Sequence, residues 1–125
     1  MSSLEVTQFV SHGVPKHPYE KVAKQVLPSW DISLVFAGRT RATTLNKQLR
    51  RKSYAPNVLS YTVGKKSGEI IICPPVAKTQ AHSYDMSQSE FILYLFIHGL
   101  LHLKGHAHGS TMEKRERATL ARFMR

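Results

Sequence analysis

The sequence predicts a single mixed α/β (α+β) domain over residues 1–125, with a small sheet packed against helices around one buried helix. Three observations predict it. Short runs rich in β-branched and aromatic residues alternate with longer stretches of helical periodicity. One of those helical stretches, ending near Lys104, is apolar on nearly every side. The chain has 125 residues and is 42% hydrophobic, enough for one ordinary core and too apolar for disorder.

Taken in order, residues 18–27, PYEKVAKQVL, read as a short helix after the loop SHGVPKH. Residues 31–37, DISLVFA, read as a strand that Gly38 ends. Residues 40–51 read as a helix, with Leu45 and Leu49 one turn apart on its inner face. Ala55-Pro56 breaks the chain, because proline disfavours helix in the residue before it. NVLSYTV (57–63) and EIIIC (69–73) read as two strands joined by a hairpin loop containing KKSG. Pro74-Pro75 ends the second, and Cys73 is a buried strand-end residue. Ser87 and Glu90 have capping-box spacing before the apolar run, so the next helix extends from there to about Lys104, where Gly105 stops it. Phe91, Ile92, Leu93, Leu95, Phe96, Ile97, Leu100, Leu101 and Leu103 lie on all its sides, which places it at the centre of the domain. A last helix covers about 110–123. Its Glu113 and Glu116, set among Lys114, Arg115 and Arg117, read as an ordinary solvated face.

Charge narrows the partners. Eighteen Lys and Arg against eight Asp and Glu give +10, an excess that attracts polyanions, nucleic acid above all. A charge kept only for solubility is the alternative. The uneven placement favours a partner: Arg39, Arg41, Lys47, Arg50, Arg51 and Lys52 fall in one stretch with no acid among them. No basic stretch leads into an apolar run at the N-terminus, so no secretory leader is expected. The run Phe91–Leu103 is interrupted by histidines and is shorter than the roughly 20 residues a membrane span needs. With a lone cysteine, no internal disulfide framework is possible. The expectation is a cytoplasmic protein with no membrane contact.

A buried helix should not carry imidazoles without a reason, since burying an unsatisfied polar group costs kcal/mol. His98 and His102 stand four apart and project from one helix face, where both can reach a single ion. Gly105 lets the chain turn back, and His108 can close the site from the opposite side. The pattern is H-x-x-x-H-x-x-G-x-x-H. Three neutral ligands leave a fourth coordination position, as in a catalytic zinc site. A closed structural site would need a fourth protein ligand, for which His106 is the candidate. The spacing matches that of metzincin proteases except that Gly99 stands where they have the glutamate base, which argues against a peptidase.

The stretch H-G-L-L-H-L-K-G-H-A-H, 98–108, resembles the signature of the YbeY family of bacterial endoribonucleases. Two further blocks agree in order. L-N-K-Q-L-R-R-K-S-Y-A-P-N-V-L-S-Y, 45–61, resembles the family's L-N-x-x-Y-R-x-K-D-x-x-T-N-V-L-S-F, and G-E-I-I-I-C-P-P-V-A, 68–77, resembles its G-D-I-x-I-C-x-x-V-A. The resemblance implies a zincin-like fold with one Zn(2+) per chain on His98, His102 and His108. It implies a single-strand-specific endoribonuclease acting on the 3′ end of small-subunit ribosomal RNA and in ribosome quality control, with ribosomal proteins as further partners. The family's functional arginine carries over onto Arg50. His98 and Arg50 are then the expected catalytic residues. Arg39, Arg41, Lys47, Arg51, Lys52, Asn57 and Ser60 are the expected RNA contacts. The chain departs from the family pattern at Leu49, Ser53, Pro56, His106 and Ala107. Ala107 replaces an aspartate and so removes a carboxylate acceptor beside the third ligand. An RNA-binding module with a structural zinc is the rival reading.

Overall fold

A computed structural model describes residues 3–105 and 109–124. Four strands form one sheet in the order β1-β2-β4-β3: β1 (Ser3–Gln8), β2 (Asp31–Phe36), β3 (Val58–Gly64) and β4 (Ser67–Ile72). β1, β2 and β4 run parallel, whereas β3 pairs antiparallel with β4 and forms one edge. Five α-helices complete the fold: α1 (Tyr19–Val26), α2 (Arg39–Arg50), α3 (Pro74–Gln80), α4 (Gln88–Lys104) and α5 (Ser110–Phe123). The chain is thus mixed α/β, as expected. The expected elements are all present, with ends displaced by one or two residues.

The strand alternation decides which face meets which helices. Ile32, Leu34 and Phe36 of β2, with Ile70 and Ile72 of β4, turn toward α1, α4 and α5 and build the main core. Val35 and Ile71 point the other way and meet Leu45 of α2, with Leu59 and Ala37. α4 is the hub of the main core, with ten of its 17 residues buried. Each large side chain among them contributes about 1.5–3 kcal/mol through burial. Its ends are closed as the spacing predicts. The Ser87 hydroxyl accepts from the Glu90 N–H at 3.1 Å, and Gly105 turns left-handed at φ 105°.

Three expectations change. The N-terminal segment, to which no element was assigned above, is strand β1; its Ser-Leu-Glu-Val-Thr-Gln alternation is the signal for it. Pro74 and Pro75 do end β4, but they also start α3, because proline suits the first helical turn. Leu49 does not share an inner face with Leu45. It is 46% exposed, while Ala42 and Asn46 are the buried residues of α2. Leu45 packs against Val35 and Ile71, whereas Leu49 one turn on has no place in that cluster.

Candidate metal centre and phosphate-binding cleft

The side chains of α4 leave the core along one stripe. Between Glu90 and Leu103 the partly or fully exposed positions are Glu90, Tyr94, His98 and His102, each four residues apart. The lower half of that stripe opens into a cavity of about 300 Å³ lined by Arg50, Asn57, Val58, Leu59, Ser60, His98 and His102. Edge strand β3 forms one wall and α4 another, and the last residue of α2 brings in Arg50. Residues far apart in sequence therefore meet at one concavity.

Both histidines are held from outside α4. His98 Nδ1 lies 3.0 Å from Oε2 of Glu116 on α5. An ionised carboxylate only accepts, so Nδ1 is the protonated nitrogen of that ring. His102 Nδ1 lies 2.8 Å from the Ser60 hydroxyl. If that hydroxyl accepts, His102 takes the same tautomer, and Nε2 is the nitrogen each ring would offer a metal. Among the described residues no group of three or more His, Cys, Asp or Glu is gathered. His108, the expected third ligand, and His106 lie outside the described residues, as does Ala107. The donor chemistry of the described part, two imidazoles on one helix face with their Nδ1 atoms engaged, fits a borderline ion such as zinc.

Gly99 clarifies why no carboxylate follows the first histidine. It sits against the sheet, where an added Cβ would lie 3.0–3.3 Å from the side-chain atoms of Ile70. Ile70 is fully buried, so a glutamate at 99 would have to displace core packing.

The basic cluster divides. Arg50 lines the cavity. Arg39 instead donates to the Pro75 carbonyl at 3.4 Å, and Arg41 stacks its guanidinium 3.8 Å from the centre of the Phe9 ring. Lys47, Arg51 and Lys52 are exposed but do not line the cavity. Asn57 does line it, yet its amide is already used. Nδ2 donates to Gln80 at 2.8 Å and Oδ1 accepts from the Val58 N–H at 2.6 Å. It shapes the rim and β3 entry. The loop between Arg50 and Asn57 is pinned by Asn46, whose Nδ2 donates to the Tyr54 carbonyl at 3.0 Å.

Glu116 overturns the solvated-face reading. It is 4% exposed, turned inward with its carboxylate on His98. The signal was available in the spacing: Met112, Glu116 and Leu120 form one i, i+4, i+8 stripe whose outer members are apolar. Their neighbours Lys114, Arg115 and Arg117 hid it.

The fold and cleft define a class: a mixed α/β protein whose central helix presents paired histidines to an open cleft with an arginine at its rim. Residues 4–124 match the family described as Endoribonuclease YbeY. The chain belongs to the YbeY family. It is similar to Endoribonuclease YbeY of Bdellovibrio bacteriovorus, 33% identical over 91 residues, which covers 71% of this chain and 61% of that one. It is 32% identical over 103 residues to the protein of the same name from Thiobacillus denitrificans, covering 74% and 70%. With the Cupriavidus metallidurans protein the figures are 32% over 113 residues, 84% and 57%. The chain thus spans between 57% and 70% of these relatives' lengths. The solution structure of TM1509 from Thermotoga maritima shares the fold, with a TM-score of 0.67 at 18% identity over 94% of this chain and 86% of that one.

Proposed function

We propose that the protein is a zinc-dependent, single-strand-specific endoribonuclease acting in ribosomal RNA maturation, at the 3′ end of small-subunit rRNA, and in ribosome quality control. The observation that carries this reading is the meeting of Arg50, His98 and His102 at one cavity. Family membership and the relatives' printed name support the reaction class. Zinc is the proposed cofactor, one per chain, on His98, His102 and His108. When bound, it would supply a Lewis acid for a phosphodiester oxygen. Arg50 would hold the scissile phosphate by paired hydrogen bonds and stabilise the charge that develops on it. Ser60 and Glu116 would keep the two imidazoles oriented. Lys47, Arg51 and Lys52 flank the Arg50 side and would track the backbone of the approaching strand. Arg39 and Arg41 are exposed on the same helix and would add further backbone contacts, each with donors left beyond its bond to Pro75 or its contact with Phe9. Ribosomal proteins are the proposed further partners. No described helix is long and apolar enough to cross a membrane, and a cytoplasmic location follows from the RNA substrate.

The test is cleavage of matched single-stranded and duplex RNA by the zinc-loaded protein. His98→Ala should abolish activity together with bound zinc. Arg50→Ala should slow cleavage about a hundredfold, near 2.7 kcal/mol of barrier, while zinc content and fold stay intact. Activity surviving both substitutions would place the chemistry elsewhere. RNA binding without cleavage by zinc-loaded protein would leave a binding module instead.

A further inference from the structure

We propose that Glu116 is a positioning residue for His98: its carboxylate holds the ring in the Nδ1–H tautomer and strengthens Nε2 as a ligand for a divalent metal ion. The inference rests on the metal reading above and names a residue that the motif H-x-x-x-H-x-x-G-x-x-H does not contain.

Three observations carry it. The contact is direct, with Oε2 3.0 Å from Nδ1. The carboxylate is buried, its side chain 5% exposed, and a buried carboxylate is costly unless paired. Finally, Glu116 occupies the middle of α5's inward stripe, between Met112 at 1% and Leu120 at 5% exposure. Packing alone would favour an apolar side chain there. The charged residue is placed where it meets an imidazole of the cleft, one helix away. Tyr94, one turn before His98 on α4, lies against the same carboxylate. Burial and that carboxylate push its phenol well up, so it stays neutral beside the pair. The ring of Tyr94 in turn faces the Arg117 guanidinium at 5.6 Å. Ala107 leaves the residue before His108 without a carboxylate. Glu116 brings one to the first histidine from a different element.

A purely structural pair would tie α5 to α4 and leave metal binding alone. The distinguishing measurement is metal affinity with a spectroscopic signature. The full chain, stripped by chelator, is titrated with Co(II), and Zn(II) is measured by competition. Glu116→Gln keeps a carbonyl acceptor and drops the charge; Glu116→Ala drops both. Affinity should fall about tenfold in the glutamine variant and about a hundredfold in the alanine variant. The Co(II) visible spectrum should shift in both. Thermal unfolding of the apo forms confirms that the variants fold, and the near-isosteric glutamine variant decides the matter alone if the alanine variant does not. A folded variant with parental affinity and an unchanged spectrum overturns the proposal. His102→Ala is titrated in parallel. If it binds as the parent does, the metal is not on these histidines and the metal reading fails as well. If it loses the metal while Glu116→Gln does not, only the role of Glu116 fails.

Discussion

Helices α4 and α2 both reach the cleft, and they do so from opposite chemical backgrounds. α4 is apolar on nearly all sides, so its two histidines stand out against the core that surrounds them. α2 is polar, with only Ala42 and Asn46 buried, and the arginine it brings to the cleft is one of several cations in the same stretch. α4 is fixed by the ten buried residues around its other sides, and its imidazoles are held by Glu116 and Ser60. The last four residues of α2 are exposed, and the loop after it is tied down by the Asn46 bond to the Tyr54 carbonyl. The comparison teaches that a site residue is conspicuous when it contradicts its surroundings and anonymous when it matches them.

Truncation should expose the difference in packing most sharply. Phe96, fully buried on α4, should cost about 3–5 kcal/mol when replaced by alanine, read as a lowered midpoint in urea. Leu49 on α2 is 46% exposed, and its replacement by alanine should stay within about 0.5 kcal/mol. Equal costs would mean that α2's last turn packs in solution as α4 does.

An intermediate effect is expected at Asn46. It is fully buried, and its amide fixes the Tyr54 carbonyl of the loop after Arg50. Among the described residues its Oδ1 has no hydrogen-bond partner, which offsets part of the gain from the amide bond. Asn46→Ala should therefore cost only about 1 kcal/mol. It should also quicken backbone hydrogen exchange in residues 51–57 while leaving α4 protected. Uniform exchange across both helices would show that the loop is not separately anchored.

The smallest effect should come from single exposed cations. If Lys52 neutralises one RNA phosphate, Lys52→Ala should reduce the slope of log affinity against log salt by about 0.7. Arg41→Ala should change that slope less, because its guanidinium is already engaged with Phe9. Equal changes would mean that the α2 cations act as one diffuse field rather than a track beside the cleft.

Much of this was legible in residues taken locally. Ser87 and Glu90 announced the start of α4 and Gly105 its end, because caps are satisfied by near neighbours. His98 and His102 announced themselves by spacing. The inner face of α2 was not legible, since Leu45 and Leu49 stand one turn apart by spacing and only packing shows that Leu45 meets Val35 and Ile71 while Leu49 is exposed. For Glu116 the Met112–Glu116–Leu120 spacing marked an inward position, but not its partner, which lies 18 residues away on another helix.

By itself the sequence determined what depends on periodicity and local chemistry: the mixed α/β class, the central apolar helix with its caps, the paired histidines on one face of it, and the excess of positive charge. The tertiary structure alone decided what depends on distant elements meeting. It brought Arg50 from α2 and Ser60 from β3 beside the α4 histidines, set Arg39 against Pro75 and Arg41 over Phe9, and placed Glu116 on His98. The reason is physical. A helix or strand sets its own faces through bonds between near neighbours, but which face is buried, and against which side chain, is settled only when the sheet and the helices pack together.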